Sequence, residues 1–121
     1  MGTSSHYNTG SDGAFDSMSE RSSALLERLL TLARNPLSRE ADEPEYYDLF
    51  VDFEILFAIN SKGLLVGTLP APDEIERLRD DYISGWDAYI DKLQPKPDFK
   101  IKRRRHILRT FNRLVKLCKQ A

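Results

Sequence analysis

The stretch PEYYDLFVDFEILFAINSK, residues 44–62, constrains this chain more than any other. At about 100° per residue, Tyr46, Leu49, Phe50, Phe53, Leu56 and Phe57 share one broad face of a helix, and Tyr47, Val51, Ile55 and Ala58 occupy a second. Only Glu45, Asp48 and Asp52, with an isolated Glu54, remain for water. A helix apolar on two sides belongs in the middle of a domain, so the other helices are expected to surround it. Pro44, behind Asp42 and Glu43, suits its first position, and Gly63 ends it.

Three more segments carry helical periodicity. Ser17 and Glu20 have the three-residue spacing at which two side chains satisfy the free amides of a helix start. Leu25, Leu26, Leu29, Leu30 and Ala33 then fall on one face, and Asn35-Pro36 stops the run. A third helix is predicted from Pro72, with Asp73 and Glu74 at its positive end. Its apolar face runs through Ile75, Leu78, Tyr82, Ile83, Trp86, Tyr89, Ile90 and Leu93, as far as residue 94. Gly85 interrupts this face at a cost of roughly 1 kcal/mol against Ala, which predicts either a break or a neighbour pressed close beside Trp86. After the turn QPKPD, with Asp98 as the expected cap, Ile107, Leu108, Phe111, Leu114, Val115 and Cys118 make the stripe of a last helix.

Between the second and third helices, GLLVGTLP is uncharged and punctuated by Gly and Pro, and reads as a loop folded over the core. Residues 1–16 are rich in Gly, Ser and Thr and are expected to form a flexible tail, leaving 17–121 as a single helical domain. The fold class is therefore all-α, a small four-helix bundle or an orthogonal helical domain. No apolar run approaches the roughly 20 residues of a membrane span, so no membrane is expected among the partners. The start of the chain has no positively charged region followed by an apolar one, so no secretory leader is expected, and it misses the myristoylation pattern because His6 stands where Ser or Thr is required. Cys118 is the only cysteine, which rules out an internal disulfide and points to the cytoplasm, with the thiol acting as a small hydrophobe.

A formal net charge of −1 conceals strong segregation. From 95 to 121, ten Lys or Arg stand against one Asp, or +9; from 72 to 94, three stand against seven, or −4; from 35 to 62, two stand against seven, or −5. On the last helix Lys102, Arg105, Arg109, Arg113 and Lys116 form a basic ridge away from the apolar stripe, and on the third helix Glu76, Asp80, Asp87 and Asp91 form an acidic one. Both ridges are expected to face outward and to remain partly unpaired.

Sites for chemistry are scarce. Glu45, Asp48 and Asp52 align carboxylates as magnesium sites do, but they need further oxygen ligands from another helix. His6 and His106 have no companion at ligand spacing, and NSKGLLVGT lacks the residue order of a phosphate-binding loop. No metal and no cofactor is expected. The sequence is thus read as a non-enzymatic helical interaction protein, a regulator, adaptor or inhibitor, docking an acidic protein surface or another protein through its two charged ridges. Self-association, ridge to opposite ridge, is a variant. The alternative is a nucleic-acid-binding protein using the basic C-terminal helix, against which stand the sequence pI of about 6.1 and the acidic ridge.

Overall fold

Proline opens three of the four α-helices among the described residues. In the computed structural model, which describes residue 8 and residues 10–120, α1 spans Asp12–Arg34, α2 Pro44–Ser61, α3 Pro72–Ile90 and α4 Pro97–Lys119. Pro44, Pro72 and Pro97 each stand at the first helical position, where the missing N–H would have had no partner. Asp98 accordingly sits inside the first turn of α4 rather than capping it. Short 3₁₀ turns, Pro36–Arg39 and Asp91–Leu93, follow α1 and α3. No strand occurs among the described residues, so the all-α bundle expected from periodicity is the fold.

The start of α1 differs from expectation. Ser11, not Ser17, is the cap, its hydroxyl accepting the amide of Ala14 at 3.1 Å, and Asp12 supplies the acid of the first turn. Residues 12–16 are therefore helical rather than part of a tail, while residues 1–7 and 9 lie outside the described residues. Ser17 instead sits within the helix and accepts from Arg21 Nε. Helix α2 ends as its glycine suggested: Gly63 adopts φ 70°, its amide bonds the Asn60 carbonyl and that of Leu64 bonds Ile59, a paired closure that satisfies two terminal carbonyls. The following connector crosses α1, where the Ser22 hydroxyl faces both the Leu64 carbonyl and the Val66 amide.

Cross-helix contacts give the directions. Arg79 meets Asn112, Asp87 meets Arg104 and Asp91 meets Lys100, so α3 and α4 lie antiparallel. Tyr46 meets Arg103, Phe53 meets Phe111 and Phe57 meets Arg113, a nearly constant offset that places α2 and α4 side by side and parallel. Phe50, Phe53, Tyr82 and Phe111 form the aromatic centre. The Tyr82 hydroxyl donates to the Ser38 carbonyl, which ties the first 3₁₀ turn to the core, and burial pushes that phenol's pKa well up.

Helix α3 runs unbroken through Gly85, and the close neighbour is Arg39: a Cβ at position 85 would lie 2.5 Å from Arg39 Cδ. Ile75, Leu78, Tyr82, Ile83, Trp86 and Ile90 of the α3 stripe are buried, but Tyr89 is only half-buried and Leu93, in the 3₁₀ turn, is exposed.

The largest correction concerns α2. Leu49, Phe53 and Leu56 are fully buried, whereas Tyr47 (59%), Val51 (57%) and Ile55 (46%) are exposed, as is Ala58. Helix α1 takes one side of α2, while α4 reaches it mainly through large side chains over Tyr46, Phe53 and Phe57. The three other helices among the described residues supply one partner face too few to enclose it.

Candidate functional site

The uncovered face of α2 is one wall of a groove of about 800 Å3. Tyr47, Val51, Glu54, Ile55 and Ala58 line that wall, and Phe99, Arg103, His106 and Thr110 of α4 line the other. Each wall covers eleven residue steps, about 16 Å or three helical turns. The two walls match in length because the helices are parallel and in register.

The floor holds a cation against aromatic rings. Tyr46 and Phe50 form it, and the Arg103 guanidinium lies over both, 5.2 Å from one centroid and 4.5 Å from the other. Arg103 Nε donates to the Tyr46 hydroxyl. Burial raises the Tyr46 phenol, and the nearby guanidinium opposes that rise. Arg103 is thereby fixed by stacking and a hydrogen bond, with no carboxylate paired to it among the described residues. Near the far end, Arg113 stacks on Phe57 at 4.2 Å.

The basic ridge borders this groove. On the α4 wheel Lys102, His106, Arg109 and Arg113 fall within about 90° on the solvent side of the line through Phe99 and Thr110, with Arg105 and Lys116 further round. Lys102, Arg105, Arg109, Arg113 and Lys116 are all exposed, and none takes part in an ion pair among the described residues. They are thus exposed, as the sequence indicated.

The acidic ridge behaves differently. Arg104 grips Asp87 with two bonds of 2.9 and 3.0 Å, and Lys100 meets Asp91 at 2.7 Å. The Asp87 carboxylate raises the pKa of Arg104. Asp87 and Asp91 are therefore paired within the chain, although Asp91 still faces outward as expected; of the ridge expected to stay partly unpaired, this end is engaged. The reason is geometric: packed antiparallel, α3 and α4 bring the edge of one ridge against Lys100 and Arg104, on the side of α4 away from the groove. Asp80 pairs with Arg79 of its own helix, and Glu76 is half-buried outside the ion pairs found.

The carboxylate strip on α2 does not converge. Asp52 is buried against Arg28 of α1, its Oδ2 3.0 Å from Nε, so it is not left for water as expected. Burial raises its pKa, Arg28 lowers it and Asp48 adds to the rise. Among the described residues, three ligating side chains come within 4.8 Å of one another only at Glu40, Asp42 and Glu43 in the connector before α2. There Asp42 accepts the Tyr89 hydroxyl at 2.9 Å, which pushes that phenol up to about 12. Cys118 is buried and its thiol is raised by that burial, so it is poorly suited to act as a nucleophile.

Tyr47, Val51, Ile55, Ala58 and Phe99 were not among the expected site residues. The available signal was numerical: α2 carries two apolar faces in a chain with few helices to cover them. No helix among the described residues is long and apolar enough to cross a membrane. Comparison with protein-family models, with curated proteins and with solved structures finds no match to this chain.

Proposed function

We propose that this chain is a non-enzymatic interaction protein of the cytoplasm, a regulator, adaptor or inhibitor, that holds a protein partner on the face built by α2 and α4. One observation carries the reading: an exposed apolar groove and an unpaired basic ridge lie side by side on the same face. Apolar surface left open beside charges is the usual anatomy of a binding patch, with a hydrophobic centre and a polar rim. The buried lone thiol suits a reducing compartment.

A photo-crosslinking residue at position 51, in extract of the source organism, tests this. The expected product is a defined adduct whose protein, once purified, binds the wild-type chain and the Ile101→Glu variant but not Val51→Glu. Ile101 is equally exposed and lies on the opposite side of α4 from the groove, so equal loss with both variants would sink the proposal.

The five unpaired cations favour nucleic acid as a second reading. It predicts binding that falls steeply with salt and is indifferent to Val51. Self-association through opposed ridges has less support, because Asp87 and Asp91 are already engaged with α4.

A further inference from the structure

We infer that the segment held in the α2/α4 groove is an amphipathic α-helix of about three turns, with carboxylates along the flank that faces α4. The inference rests on the protein-docking reading and names the chemistry of the partner. Its first support is the lining. Between Tyr47, Val51 and Ile55 on one wall and Phe99 on the other, the groove offers few hydrogen-bonding groups, and no strand edge exists among the described residues. An extended peptide laid there would leave its own N–H and C=O groups unsatisfied. A helix carries its backbone hydrogen bonds with it, so only apolar side chains need meet the walls.

Length and charge narrow the choice. Walls of about 16 Å accommodate three turns, with anchors at i, i+3 or i+4, and i+7. Lys102, Arg109 and Arg113, with His106, rim the α4 side and have no ion-pair partner, whereas Lys100 and Arg104 on the other side of the same helix are neutralised by α3. Carboxylates spaced i, i+7 and i+11 on one flank of the guest match Lys102, Arg109 and Arg113, and the two guanidinium groups can take them two bonds at a time. Glu54 on the α2 wall favours a neutral or basic residue on the opposite flank. An anionic membrane surface would also attract a basic and apolar face, but a concave groove presents its apolar atoms to a rod more readily than to a plane.

The test is selection from a displayed library of helical peptides of about four turns, randomised at all outward positions, against the full chain. The expected winners carry an apolar i, i+3 or i+4, i+7 stripe with Asp or Glu along one flank. Their affinity should fall at least tenfold for Val51→Glu and for Arg109→Glu/Arg113→Glu. The charge-reversed variant should in turn prefer winners remade with Lys on that flank, and unchanged circular dichroism shows that both variants fold. Winners lost with Val51→Glu but neutral or basic on that flank would overturn the inference while leaving a protein-docking groove. If no selected helix depends on Val51, both readings fall. Val51-dependent sedimentation with phosphatidylserine vesicles in place of helix binding would assign the face to a membrane surface and overturn the inference.

Discussion

Gly85 and Arg39 allow a prediction whose sign depends on context. Position 85 lies inside the unbroken α3, where Ala is favoured over Gly by about 1 kcal/mol. In this structure, however, the new Cβ would stand 2.5 Å from Arg39 Cδ, far inside van der Waals contact. The Arg39 stem cannot swing away without loss, since its guanidinium lies over the Tyr82 ring at 5.8 Å and its Nη2 reaches the Ala33 carbonyl at 3.5 Å. Overpacking of this kind costs about 1–3 kcal/mol, so Gly85→Ala should be neutral to destabilising by about 2 kcal/mol. With Arg39→Ala beside it the obstacle disappears, because Arg39 Cβ lies at an ordinary 3.5 Å, and the same substitution should now stabilise by about 1 kcal/mol. Urea unfolding of the four proteins, followed by helical circular dichroism, gives the coupling, expected at about 1–3 kcal/mol. Equal effects of Gly85→Ala in both backgrounds would refute the claim that Arg39 dictates glycine at this position.

Glutamate at Val51 or Ile55 should change stability by less than about 0.5 kcal/mol, since both side chains already face water, whereas Leu49→Glu or Leu56→Glu should abolish cooperative unfolding; thermal melts decide between these outcomes. Arg28→Ala leaves the buried Asp52 carboxylate unpaired and should cost about 1–2 kcal/mol, a value discounted because Arg28 is itself largely exposed. Because the folded pKa of Asp52 is raised above its unfolded value, its favourable contribution is complete below the ordinary carboxylate pKa and is lost as pH rises through the folded value. The raised folded pKa of Tyr89 acts the same way at the alkaline end. Stability should decline between about pH 10 and pH 12, and Asp42→Asn should return the phenol toward 10, read by ultraviolet titration of Tyr89 against the other tyrosines.

Much of the fold could be read from local signals. The starts at Pro44 and Pro72, the closure at Gly63 and the buried stripes of α3 and α4 depend on residues within a turn or two of each other, which periodicity and capping chemistry report. The start at Asp12 was missed because the competing Ser17–Glu20 spacing is as good a signal as Ser11, and nothing local ranks the two. The groove was illegible for a different reason. Helical spacing shows that Tyr47, Val51 and Ile55 share a face, but whether that face is covered depends on how many helices reach it. Likewise, the wheel places Asp87 and Asp91 away from the α3 stripe, and only the antiparallel pairing with α4 reveals Arg104 and Lys100 opposite them. The exposure of Lys102, Arg109 and Arg113 was legible; their position beside an apolar groove was not.

The central claim is that the face between α2 and α4 is where this protein meets its partner. Amide and methyl chemical-shift mapping of the labelled chain, titrated with the tightest selected helix, tests it most directly. The account predicts shifts concentrated at Tyr47, Val51, Ile55, Phe99 and His106, with α1 and the outer side of α3 unmoved. Shifts centred on α1 or α3, with the groove residues unchanged, would contradict it.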